Sequence, residues 1–108
     1  MEQVELRGSV LSLSTLVDYQ DGAVVSKTLI KEPKGTVTVF SFDQGQEFSE
    51  HTVPHDALVH VTDGEAEITI SGKPHRLQQG QMILMPGGQP HAVKATRQFK
   101  MVLTLIRT

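Results

Sequence analysis

Five histidines, His51, His55, His60, His75 and His91, are the side chains best suited to chemistry in this chain. Imidazole ligates metals, exchanges protons near neutral pH and, when neutral, offers one hydrogen-bond donor and one acceptor. Spacing separates the five. His51 and His55 flank Thr52-Val53-Pro54. On a straight strand their Cα atoms would stand about 13 Å apart, too far to share an ion at imidazole–metal distances. A bend at Pro54 would bring them together; without it His55 is a loop-tip residue at the mouth of the fold. His60 has the opposite strand parity from Ala57, Val59 and Val61, so it is expected on an outer face. His75 follows a turn beside Lys73 and Arg76 and reads as solvated. His91 follows Pro86-Gly87-Gly88-Gln89-Pro90, a rigid corner that no helix crosses.

The elements that must position these residues are strands. Ala66, Ile68 and Ile70 alternate with Glu65, Glu67, Thr69 and Ser71, the signature of a strand with one buried and one wet face. From Phe99 to Arg107, Phe99, Met101, Leu103 and Leu105 share one face; Val102 and Ile106 make the other only half polar. Thr36–Phe42 and Val24–Ile30 are rich in β-branched residues, and Ala57–Thr62 and Met82–Met85 add shorter strands. Asp63-Gly64 reads as a type I′ hairpin between two of these runs. Ser71-Gly72-Lys73-Pro74 and Gln79-Gly80 mark further reversals, and only Ser12–Val17 could form a helical turn. Many short strands with regular turns imply an all-β antiparallel sandwich or barrel.

Composition narrows the classes further. A chain of 108 residues suits one domain, here a short N-terminal arm over about residues 1–22 and a barrel over about 23–108. The 38% hydrophobic content suffices for one core and argues against wholesale disorder. Ten Lys and Arg against 12 Asp and Glu, with no basic block, speak against nucleic-acid binding. No apolar run approaches a membrane-spanning length. The acidic start Met1-Glu2-Gln3-Val4-Glu5 does not resemble a signal peptide, so a cytoplasmic location is expected. The absence of Cys excludes disulfides, thiolate metal sites and a Cys nucleophile.

The spacing Gly80-x5-Pro86-x-Gly88-x2-His91 resembles the second motif of the cupin superfamily, with Ala95 where that motif ends in Asn. The first cupin motif aligns on Gly45, His51, Val53, Ala57 and Gly64; Val53 stands where the family has a second His, and Ala57 where it has Glu. The chain is thus similar to small single-domain RmlC-like cupins of the conserved-barrel type, and the resemblance implies an antiparallel jelly-roll β-barrel. The family typically binds Fe, Mn, Ni, Zn or Cu through three His and one Glu. Carried over, this gives His51 and His91 as matched ligands, with His55 the nearby replacement and Asp56 a further oxygen if its loop turns inward. Two imidazoles alone make a weak site, because zinc centres use three or four protein ligands.

Parity and the alignment together place His51, Val53, Ala57, Val59 and His91 on the inner face. Phe40, Phe42, Met82, Phe99 and Met101 are expected beneath or beside them, as pocket lining or simply as core. The expected function is a barrel that binds a small molecule, with a divalent metal as an expected accessory. The alternative is a metal-dependent enzyme, dioxygenase- or isomerase-like, acting on a small organic substrate. A homodimer is also expected, because Val102, Ile106, Leu58 and His60 form an outward face that a partner could bury, and small cupins commonly dimerise.

Overall fold

The computed structural model describes residues 6–107. The reading of the acidic start at Met1–Glu5 therefore lies outside the described residues, as does the beginning of the N-terminal arm. Eight strands follow the arm: β1 (Val24–Glu32), β2 (Gly35–Phe42), β3 (Glu47–His51), β4 (Asp56–Ile70), β5 (Lys73–Gln78), β6 (Met82–Met85), β7 (His91–Lys94) and β8 (Phe99–Ile106). The described residues contain no helix. Ser12–Val17 forms a single turn instead, closed by the Thr15 N–H donating to the Ser12 carbonyl at 3.1 Å.

All pairings are antiparallel, and the strands curl into a jelly roll. One wall runs β1-β2-β8-β4-β6, the other β5-β4-β7-β3, with β4 common to both. Residues 56–64 of β4 pair with β8, whereas residues 65–70 pair with β5 and, from 67, with β7. This corrects the reading of Asp63-Gly64 as a hairpin. A type I′ turn needs positive φ at both central residues, but only Gly64 has it, at +73°. The strand instead shifts register between Val61 and Asp63 and crosses from one wall to the other, as strands at sandwich corners do. Gly64 is required there: a Cβ would lie 2.0 Å from the Gln98 carbonyl oxygen. The true two-residue turn is Ser71-Gly72, with φ of +49° and +80°, joining Ile70 to Lys73 across β4 and β5.

The core forms where the inner faces of the two walls meet. Phe42, Val59, Val61 and Phe99 from the first wall and Ala66 and Ile68 from the second are fully buried. Phe42 stacks on Phe99 with ring centroids 4.6 Å apart, and Phe48 meets Phe42 edge-on at 4.9 Å. Such offset and edge contacts match the ring quadrupoles and add to the burial of apolar area.

On the outside of the first wall the arm is latched by polar contacts. Ser41 Oγ donates to the Asp18 carbonyl, Lys100 Nζ donates to the Ser14 carbonyl at 2.8 Å, and the Tyr19 hydroxyl bonds Asp63. Lys100 also lies over the Tyr19 ring, 4.9 Å from its centroid. Between these anchors Val17 is buried, and outward-facing Val39 is fully covered. Farther along the same wall Met82, Leu84 and Ile106 are more than half exposed.

Candidate functional site

His51 and His91 meet across the β3–β7 ladder as directly opposed residues. Their ring centroids lie 4.4 Å apart with the planes inclined at 67°. On its other side His91 is opposite Ile70 of β4. His91 is buried, at 4% exposure, while His51 is exposed, so the pair reaches from solvent into the barrel wall. Phe48 of β3 and Val93 of β7 continue the same ladder inward.

Each imidazole is held by a different local device. The register shift between Phe48 and His51 turns the end of β3 so that His51 Nδ1 lies 2.9 Å from the Ser49 carbonyl oxygen. His91 is placed by the Pro86–Pro90 corner, which grips the loop between β3 and β4. The Gly88 N–H donates to the Val53 carbonyl at 2.8 Å, and the Gly87 N–H donates to Asp56 Oδ1 at 2.8 Å. Gly87 must lack a side chain, since a Cβ would approach the Pro54 carbonyl oxygen to 2.7 Å. The Ser71 N–H then holds the far end of the corner by donating to the Pro90 carbonyl at 2.8 Å.

The His91 ring resists protonation. Burial is the main cause, the neighbouring His51 adds to it, and the Gln89 backbone opposes it more weakly. Its Nδ1 is buried without a hydrogen-bond partner.

The other sequence candidates separate clearly. His55 is half-buried, with its own Nδ1 buried and unpartnered, but it does not complete a metal-binding cluster. Among the described residues no group of three or more His, Cys, Asp or Glu is arranged to hold an ion. Asp56 directs Oδ1 to the Gly87 N–H. Val53 is half-buried, and Ala57, Val59, Phe99 and Met101 belong to the packed core, with Phe40 packed against it.

Met82 is a correction. It is 56% exposed rather than part of an inner wall, because it pairs with outward-facing His60. The run Met82-Ile83-Leu84-Met85 is apolar at every position, so its sequence carries no parity; buried Met85 takes the inner place. Ile70 lies opposite His91, and Phe48 pairs with Val93 on the same β3–β7 ladder. The alternation through Ala66 and Ile68 points to Ile70, whereas only pairing with β7 identifies Phe48. His60 lies on the outer face and His75 on β5, separated from β7 by β4.

The cupin-domain family model matches residues 38–107. A conserved protein of unknown function from Streptococcus pyogenes is 38% identical, with a TM-score of 0.92 over 99% of this chain and 93% of that one. A cupin 2 conserved barrel domain protein from Leptotrichia buccalis is 40% identical, with a TM-score of 0.87 over 90% of this chain and 47% of that one. A cupin superfamily protein from Desulfitobacterium hafniense is 25% identical, with a TM-score of 0.89 over 94% of each chain. No functionally curated protein matches.

Proposed function

Because this chain belongs to the cupin-domain family, we propose that it is a small-molecule-binding barrel whose pocket centres on His51 and His91. The observation that carries this reading is the opposed pair itself, one ring buried and one exposed, set at the partly open end of an apolar interior. Apolar walls with a few convergent polar groups are the usual composition of a ligand site.

A resident, protein-saturated metal does not fit the residues present. The His51 tether to a carbonyl is an arrangement that metal-ligating imidazoles share. Yet the pair supplies two donors, and Val53 and Ala57 bring none where the family motif has two more. An ion held here would draw its other positions from water or ligand, which makes it an accessory to binding rather than its basis.

A ligand-observed NMR screen of small aromatic and aliphatic compounds tests the pocket. The double variant His51→Ala with His91→Ala is expected to lose the hits while keeping its fold; His75→Ala is expected to keep them. Binding undiminished in the double variant places the pocket elsewhere.

The outer face has a separate role in this reading: a second copy of the chain covers it. Met82, Leu84 and Ile106 expose more than half their surface beside Leu58 on one wall, a grouping that a folded monomer gains by burying. Leu84→Glu is expected to convert a dimer to a monomer in sedimentation analysis. A wild-type chain that sediments as a monomer across the micromolar range sinks this assignment.

A further inference from the structure

We infer that this pocket takes a small organic anion, with its acidic group on Lys73 and its body laid over Ile70 towards the His51–His91 pair. This deepens the reading of the pair as a ligand site, on which it rests, by naming the class of ligand.

Directly opposed residues of neighbouring strands carry their side chains on the same side of a sheet. His51 is opposite His91, His91 opposite Ile70, and Ile70 opposite Lys73, so one row crosses the second wall from β3 to β5. Buried His91 marks that side as the inner one. Lys73 and His91 stand two strands apart in the row, about 10 Å between Cα atoms. Half-buried Ile70 supplies the apolar step between them. In the next row half-buried His75 is opposite fully buried Ile68, and His55 is half-buried in the β3–β4 loop; neither brings an acid.

Among the paired strand positions of the described residues, the inner side holds two lysines and no carboxylate. On the second wall Glu47 and Glu67 flank Lys94 in an outward row, and Glu65, opposite Gln78, alternates with inward Ala66. Unpaired Glu50 lies in the β3 bulge, three strands from Lys73, or about 14 Å. On the facing wall Glu32 and Asp56 share the outward row of Ile106, and Asp63 lies opposite outward Lys100. The second inward lysine, Lys31, belongs to that wall, in the row of Thr36 and Leu105.

The two lysines differ in place: Lys73 shares the row of the histidines, whereas Lys31 sits at the far edge of the other wall. Arg76 is drawn to Glu65 at 3.9 Å and Lys100 to the Ser14 carbonyl, but no described residue bonds the Lys73 ammonium. Exposed on an edge strand, that ammonium is a compact charge with three donors. It meets a carboxylate or phosphate at the rim, where neither partner has to leave water entirely, and the rest of the ligand gains by covering Ile70. The attraction comes from the lysine and is independent of the protonation of either imidazole.

The test is an NMR titration of the isotope-labelled full chain with 3-phenylpropanoate and 3-phenylpropanamide, two probes that differ in charge at one end. EDTA is present and the pH is about 8, above the ordinary imidazole range. At low salt the acid is expected to bind at least about threefold more tightly than the amide, the margin of one exposed ion pair. Backbone shifts are expected to centre on Ile70, Lys73 and His91, and the margin to close towards about 1 M salt. Lys73→Gln is expected to erase the margin, Lys73→Arg to keep it, and Lys94→Gln, on the outer side, to leave it unchanged. Equal binding of acid and amide near the pair, or a margin that survives Lys73→Gln, overturns the inference and leaves the pocket standing. Acid shifts centred on Lys94 or Arg76 overturn it as well. If neither probe shifts residues around the pair up to about 10 mM, the pocket reading falls and this inference with it.

Discussion

The two ends of the barrel interior are built from similar residues and do different work. At one end Phe42, Val61, Ala66, Ile68 and Phe99 are fully buried, and Gly64 lets β4 press against the Gln98 backbone. At the other, Phe40, Ile70, Leu103 and Leu105 are only partly buried, and His51 is exposed. The same strands supply both ends, so composition does not explain the contrast; closure does. Where β4 crosses between the walls they are covalently continuous and close. Towards the His51–His91 ladder the β3–β4 loop and the Pro86–Pro90 corner bridge them. One end provides stability, and the other leaves polar groups accessible.

Perturbing the closed end should have the largest effect on stability. Phe99→Ala removes a ring stacked on Phe42 and is expected to cost about 3–5 kcal/mol in denaturant unfolding. A cost below about 1 kcal/mol would mean that this end is not the anchor. Gly64→Ala tests the crossing itself. Its positive φ and the 2.0 Å approach to Gln98 predict about 1–3 kcal/mol of destabilisation, with exchange protection lost first around residues 61–65. Unchanged protection there would show that β4 tolerates another geometry at the crossing.

The open end should answer to pH more than to truncation. His91 has its pKa lowered from 6.5, so over the interval between that value and its native one the unfolded chain binds the extra proton. Stability from this group is complete above the unfolded value and is lost as pH falls through the native value. His91→Gln is expected to flatten this part of the stability–pH curve, and an unchanged slope would assign it to other groups. The smallest effect on stability is expected from His51→Ala, within about 0.5 kcal/mol, because the side chain is exposed. Its effect on ligand binding should be large. That pairing of outcomes, measured on one variant, separates a binding end from a folding end most sharply.

Local patterns read from the sequence describe the barrel well wherever one face is wet. The alternation through Ala66, Ile68 and Ile70 and the parity of His60 carry straight into the structure. So do the motif glycines and the Pro86–Pro90 corner that lead to His91. They fail where both faces are apolar, as at Met82–Met85, and where one dipeptide suits two backbones, as at Asp63-Gly64. A glycine with positive φ serves a hairpin or a bulge equally well, and the choice depends on which strands lie alongside.

An all-β chain with a cupin-like spacing is legible in the order of residues alone, as is the separation of His51 and His91 from the other three histidines. Period-2 patterning and the backbone freedom of glycine and proline are local properties, expressed within a few residues. Strand pairing, in contrast, makes β4 span both walls and turns Met82 outward, and among the described residues it leaves His55 outside any metal cluster. The placing of the Ser49 carbonyl 2.9 Å from His51 Nδ1 is of the same kind. Each of these depends on strand register or on a main-chain carbonyl. Register is a relation between segments far apart in the chain, and every residue carries the same carbonyl, so neither leaves a mark in the order of side chains.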